Sequence, residues 1–597
     1  MSETQPRLTF DFRGEDPRDD GPAPRLVFAN PVRVIVARET NEVLPALKAV
    51  AESTRAGLWA AGYVGYEAAP AFDPALRVHG DPAPTPLLWF GLFESPTDVG
   101  GASVLEATDV GTTAWQSDVG PDEFAAKVDE IQQAIARGET YQVNYTRRTT
   151  LHSPMDGRKL YERMCGAAGA GYFARLEIGD FEVVSASPEL FFRTDGQSIV
   201  TRPMKGTAAR GRWTEEDQAQ ADALRGSAKE RAENVMIVDL LRNDLGRIAL
   251  PGSVRVDSLF SVERYPTVLQ LTSTISAQLR PDIGLPDIFK ALFPCGSVTG
   301  APKISTMAHI TALETGPRGL YCGAIGYVRP GGDAIFSIAI RTALLKDGEI
   351  TYSVGGGITS DSRAAAEWAE TEAKRAVLLR AIGPPEQPFD LLETLWLSNG
   401  DYYLRQRHLA RLAESAAYFG RPCDLARIDA ALEEAALSCP VGAYRVRLVV
   451  AADGTPRVKT ALLAANPCKF LTVALAREPV DGRDPFLCHK TTRRVVYETR
   501  RADAPWADDV LLFNRQGEIT EFTIGNVLVV LPTGETVTPP RDCGLLAGTK
   551  RAEMLSLGVV SERRVTVEEI RDPAVRLYFV NSVRGSLPAR LILDQNH

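Results

Sequence analysis

The stretch Ala381-Ile382-Gly383-Pro384-Pro385-Glu386-Gln387-Pro388 limits what this 597-residue chain can fold into more than any other. Proline has a fixed φ and no amide hydrogen, so a helix entering this stretch must stop and the chain beyond is stiffened. A single hydrophobic core does not grow to this length. The break therefore divides the chain into domains over residues 25–381 and 389–597, joined by a linker over 382–388. Residues 1–24 mix Asp, Arg, Pro and Gly without an apolar run, so they carry no signal-peptide pattern and are expected to be disordered. From Leu26 onward strand-like and helical stretches alternate, the pattern of an α/β or α+β protein.

Composition excludes several functions. The net charge of −9 argues against a non-specific nucleic-acid binder. No run of eighteen apolar residues occurs, so no membrane span is expected. Eight cysteines show neither metal-site spacing nor a disulfide framework, which suits a reduced, cytoplasmic protein. Six histidines form no cluster, leaving acid–base work to Lys, Glu and Tyr.

In the first domain Lys205 lies in Arg202-Pro203-Met204-Lys205-Gly206-Thr207, read as a shaped loop between a strand and a charged helix. Upstream, Glu189 follows Pro188 and precedes an apolar strand; partial burial would raise its pKa and suit it to act as a general acid. Downstream, Glu230 and Glu233 share one helix face at i, i+3, and Glu367 and Glu370 do the same after the glycine turn Gly355-Gly356-Gly357. One such pair is ordinary helix decoration. Two pairs around a lysine and a candidate acid point to hard oxygen ligands for Mg²⁺, with an anionic substrate completing the site.

These blocks, with Tyr141-Gln-Val-Asn144, Gly296 through Lys303, Tyr321 through Tyr327 and Ser337 through Thr342, resemble the chorismate-utilising enzymes over about Val32 to Ala381. The resemblance implies a large α/β sandwich. It also implies that Glu233 and Glu370, with Glu230 and Glu367 nearby, hold Mg²⁺, and that Tyr321, Arg341, Gly357, Lys374 and Thr299 hold the substrate. Anthranilate synthases carry alanine where this chain has Lys205, whereas lysine there resembles aminodeoxychorismate synthase. A lysine amine can attack C2 of chorismate while the C4 hydroxyl leaves, protonated by Glu189, and ammonia then enters at C4. Gln270 stands where the anthranilate branch has histidine.

The second domain has three separate pieces: His489-Lys490-Thr491, Gly517 through Val527, and Gly544 through Arg551. Together with Arg411 they resemble fold-type IV pyridoxal phosphate enzymes over about Phe389 to Leu593, a domain of two α+β subdomains. Leu528, Thr536 and Thr549 depart from that pattern. The resemblance makes Lys490 the Schiff-base lysine and Glu521 the partner of the pyridine nitrogen. Arg411 and the amides around Ile524, Gly525, Asn526 and Thr549 would hold the phosphate. Arg584, in Asn581-Ser-Val-Arg-Gly585, would meet a substrate carboxylate.

Combined, the halves imply that chorismate and ammonia give 4-amino-4-deoxychorismate, from which the second domain eliminates pyruvate to leave 4-aminobenzoate, a folate precursor. No glutaminase cysteine pattern is visible, so ammonia is expected from a separate glutamine amidotransferase subunit. The alternatives are an anthranilate or isochorismate synthase in the first domain, and an aminotransferase or a non-catalytic interaction module in the second.

Overall fold

A computed structural model of the chain describes residues 5–12, 25–98, 115–152, 155–168, 171–265, 268–383, 388–463 and 470–592. Its contacts separate two units, Met1–Arg210 with Ala221–Pro385, and Gly211–Gln220 with Glu386–His597.

The central strands of the first unit are apolar on both faces: Leu88–Phe93, Ala324–Val328 and Ala334–Ile338 are buried at every residue. Such a strand must be covered from two sides, and the unit supplies both covers. Two ten-stranded sheets share a core in which Leu8, Phe10 and Tyr172 of one meet Ala61, Tyr63 and Tyr327 of the other. The outer face of one sheet packs under the helices Thr40–Arg55, Ala228–Gly246 and Leu285–Leu292. That of the other packs under Gly157–Ala168 and Ala364–Ile382. The result is the expected α/β sandwich. Among the described residues no helix is long and apolar enough to cross a membrane.

Three expectations are corrected here. Residues 7–12, expected to be disordered, form the strand Arg7–Phe12, which pairs with Leu26–Ala29 and Tyr172–Ile178. Leu8, Phe10 and Phe12 alternate into the core, a period of two that the surrounding polar composition masks. Lys205 lies not on a loop but on the edge strand Met204–Ala209, whose pairing with Val268–Gln278 slips between Met204 and Thr207. Gly206 at φ +94° is in the bulge, and a bulge re-aims the side chain beside it. Gly355, Gly356 and Gly357 form no turn; they sit inside the strand Glu349–Ile358, opposite Thr146, Tyr145 and Asn144. A Cβ on Gly355 would lie 2.5 Å from Thr146 Cγ2, so glycine here permits close approach of a neighbouring strand.

In the second unit a four-stranded sheet runs Asp401–Tyr402, Leu391–Ser398, Ala443–Val450, Pro456–Leu462, and packs under the helices Arg405–Tyr418 and Leu425–Leu437. An eight-stranded sheet follows, in which Ile519–Phe522 pairs with both Asp509–Phe513 and Asn526–Val530 and so closes part of the sheet on itself. This matches the expected pair of α+β subdomains. The unit also takes in Gly211–Gln220, which the division by proline placed in the first domain. Arg212 Nη1 donates to the Gly482 carbonyl at 3.0 Å, and the Arg212 carbonyl accepts from His489 Nε2 at 3.0 Å. Four of the linker residues, 384–387, lie outside the described residues.

Candidate active sites

The first cavity is assembled from the edge strand of Lys205, the Pro188-Glu189 entry to the strand Leu190–Thr194, the strand Glu349–Ile358 and the helices Ala228–Gly246 and Ala364–Ile382. Lys205 Nζ donates to the Ser297 carbonyl at 2.9 Å. The site of a Cβ on Gly357 would lie 3.4 Å from that nitrogen, an ordinary contact, and 2.0 Å from Gln142 Nε2, so glycine here makes room for the Gln142 side chain. Glu189 is 3% exposed, and burial pushes its carboxyl up to about 7, against the pull of Ser297 and Lys205. It thus keeps a substantial protonated fraction at neutral pH, as a general acid needs.

Glu230, Glu233, Glu367 and Glu370 line the same cavity. Burial raises the first three, and the carboxylates raise one another further. Glu370 is held low by Lys374, whose ammonium lies 2.8 Å from its Oε1. Lys229 lies 3.9 Å from Glu233 and 3.8 Å from Glu367, and Glu230 makes no ion pair among the described residues. Among the described residues no group of three or more His, Cys, Asp or Glu side chains closes round a metal position. Mg²⁺ does not need one: it binds through one or two carboxylates and takes its remaining oxygens from water and substrate. This all-oxygen donor set of four carboxylates fits that ion.

Arg341 and Tyr321 complete the wall. Arg341 sits at φ +50°, a left-handed conformation that is costly for any residue with a Cβ. Burial lowers its pKa, and it makes no ion pair among the described residues. Thr299, expected at the substrate, is fully buried away from the cavity, with its hydroxyl donated to the Cys295 carbonyl at 3.1 Å. Ser297 and Val298, just before it, line the cavity instead.

The second cavity brings together Arg411, Lys490, Glu521, Ile524, Gly525, Asn526, Thr549 and Arg584. Burial and the nearby Arg411 bring the Lys490 amine down to about 8, so a useful fraction is neutral near physiological pH. Glu521 is buried, which pushes it up to about 7. Tyr497 Oη, Asn526 Nδ2 and the Leu546 amide donate to it at 2.8, 3.2 and 3.2 Å and fix its orientation. Arg411 makes two bonds to Glu393, at 2.8 and 2.6 Å, and donates to the Ala547 carbonyl at 3.1 Å. Glu393 is buried, and Arg411 and His408 overcome that burial to hold it at about 2. Thr549 opens the helix Thr549–Ser556. A lysine of lowered pKa, a fixed carboxylate, an arginine and a helix start fit pyridoxal phosphate.

The model of the family described as chorismate binding enzyme matches residues 6–380. The chain belongs to this family. Residues 390–592 match the model of class IV amino-transferases. Aminodeoxychorismate synthase component 1 of Salmonella typhimurium is 43% identical over 260 residues, 44% of this chain and 57% of that protein. Anthranilate synthase component 1 of Aquifex aeolicus is 38% identical over 273 residues, 46% of this chain and 55% of that protein. The crystal structure of anthranilate synthase component I from Streptococcus pneumoniae superposes with a TM-score of 0.53 at 27% identity, covering 61% of this chain and 94% of that one. The matched stretch spans a little over half the length of these curated relatives.

Several groups in this chorismate binding enzyme were not singled out as site residues from sequence. Lys229 and Ser297 line the first cavity. His408 and Glu393 are paired at 2.7 Å, with Arg411 also bonded to Glu393, and a carboxylate at the third residue of an otherwise apolar strand start is the one sequence sign of such a pair. Tyr497, Arg445 and Arg447 join the second cavity only through tertiary contact.

Proposed function

We propose that the protein makes 4-aminobenzoate in two steps: amination of chorismate at C4 in the first unit, and elimination of pyruvate from 4-amino-4-deoxychorismate in the second. The observation that carries the reading is the placement of Lys205 and Glu189, whose pKa burial raises to about 7, in one cavity with four carboxylates and Arg341. The Lys205 amine attacks C2 as the C4–O bond breaks, and Glu189 gives its proton to the departing hydroxyl. Ammonia then forms the C4–N bond as the C2–N bond to Lys205 breaks, so chorismate and ammonia yield the amine and water. Lys374, Arg341 and Tyr321 hold the substrate's carboxylates. Glu233 and Glu370, with Glu230 and Glu367, would hold Mg²⁺, which offsets carboxylate charge. A separate glutamine amidotransferase subunit supplies the ammonia.

In the second unit Lys490 would carry pyridoxal phosphate. Glu521 would face its ring nitrogen, and Arg411, Asn526, the Ile524–Gly525 backbone and Thr549 would surround its phosphate. When bound, the cofactor supplies an electron sink beside the substrate's C4. Lys490 is the base that takes the C4 proton, and Arg584 meets a carboxylate. The enol ether bond then breaks, releasing pyruvate as the ring becomes aromatic.

The test is mass-resolved product analysis after incubation with chorismate, Mg²⁺, ammonia and pyridoxal phosphate. 4-Aminobenzoate and pyruvate in equal amounts are the expected products. Anthranilate would overturn the first assignment, and accumulation of 4-amino-4-deoxychorismate the second.

A pH profile tests Glu189 separately. Chorismate turnover is expected to fall as pH rises through about 7, where the acid loses its proton, and Glu189→Gln is expected to remove both the activity and that limb. Folding raises this pKa from 4.5, so the folded chain holds a proton that the unfolded chain releases between 4.5 and about 7. The Glu189 contribution to stability is therefore lost as pH rises through that window.

A further inference from the structure

The second cavity holds more positive charge than the groups so far assigned to it use. Arg411 is tied to Glu393, and Arg494 donates to the Thr523 carbonyl and lies over the Tyr497 ring. Glu521 is satisfied by Tyr497, Asn526 and the Leu546 amide. Arg445 and Arg447 remain. Both line the cavity, both are exposed, and neither makes an ion pair or side-chain hydrogen bond among the described residues.

Their placement follows from strand geometry. They alternate in Ala443–Val450 with Val446 and Leu448, which are fully buried in the core of the four-stranded sheet. Period two therefore puts both guanidiniums on the opposite, cavity face. Arg447 pairs with Thr394, another lining residue, on one side and with Lys459 on the other. Lys459 is also exposed and unpaired among the described residues. Like charges directly opposite each other in a sheet repel, and no carboxylate among the described residues pairs with this row. An anion bound across it would relieve the repulsion.

Arg584 lies beyond the end of a different strand, in the loop after Asn581 that belongs to the eight-stranded sheet. The cavity thus has two independent cationic walls, each without an internal counter-ion. We propose that Arg445 and Arg447 form a carboxylate clamp, and that the second site is selective for dicarboxylates, one carboxylate going to this clamp and the other to the wall of Arg584. The proposal rests on the reading of this cavity as a substrate site given above. It adds the residues that would distinguish a dicarboxylic amine from an ordinary amino acid.

The test uses two ligands of one skeleton, isophthalate and benzoate, titrated into the intact cofactor-loaded protein. Binding is read both from cofactor absorbance and by calorimetry. Isophthalate is expected to bind about tenfold or more tighter than benzoate, since a hydrogen bond between charged groups contributes on that scale. In R445Q/R447Q this preference collapses while cofactor content stays as in the parent, and each single variant loses part of it. Equal affinity for the two ligands in the parent, or a preference that survives in the double variant, overturns the proposal. Loss of cofactor from the double variant also overturns it, because the arginines would then serve the phosphate. Clamp-dependent preference in a protein that releases no 4-aminobenzoate would keep this inference and sink the lyase reading.

Discussion

The Lys205→Ala protein is expected to form 4-amino-4-deoxychorismate about a thousandfold more slowly than the parent, with any residual amination appearing at C2 as anthranilate-type product. The reason is positional. Ammonia is a stronger competitor at C2 only when no tethered amine occupies that face, and Lys205 Nζ is held in the cavity by the Ser297 carbonyl. Chromatography with mass detection separates the isomers directly. Unchanged product in unchanged yield would mean that Lys205 binds and does not react. The second unit serves as an internal control, since cofactor absorbance should be the same in both proteins.

The second large effect is expected from Lys490→Ala. This variant should lose the visible absorbance of the bound cofactor and slow pyruvate release by about three orders of magnitude or more, because one amine both tethers the cofactor and moves the C4 proton. Amination of chorismate should continue, so 4-amino-4-deoxychorismate should accumulate. A coloured Lys490→Ala protein, or one that still releases pyruvate at the parent's rate, would exclude Lys490 from both roles. A second unit that acts only as an interaction module predicts no colour in either protein.

How far the sequence could be read depends on what each residue relies on. Local chemistry was legible: the glutamate pairs on their helices, Glu189 before its strand, and Lys490 beside His489 all occupy a cavity wall. Backbone context was less so. Lys205 and the three glycines look like loop material because Pro203 and Gly206 interrupt one strand and the glycines strip the other of side chains, yet pairing with Val268–Gln278 and Gln142–His152 makes both extended. Thr299 was misplaced by adjacency: the 3₁₀ turn Gly296–Val298 carries the chain past the cavity, so its hydroxyl faces inward to Cys295. Arg445 and Arg447 were invisible for the opposite reason. An alternating charged strand reads as a solvated edge, and only the sheet that faces it turns that edge into a wall.

The ten residues Gly211–Gln220 follow the Lys205 strand in sequence but fold with the second unit. His489, next to Lys490, is stacked on Tyr418, bonded to Ser415 through Nδ1 and to the Arg212 carbonyl through Nε2, and Tyr418 itself donates to the Gly211 carbonyl. A nick or gene fission at Pro384-Pro385 would therefore cut the chain beside one boundary of the units but leave Gly211–Gln220 with the upstream fragment. The downstream fragment would leave behind the peptide group that anchors the residue before its own lysine. A graft of the second unit onto another scaffold must carry this decapeptide with it, as a second segment spliced in from more than 160 residues upstream.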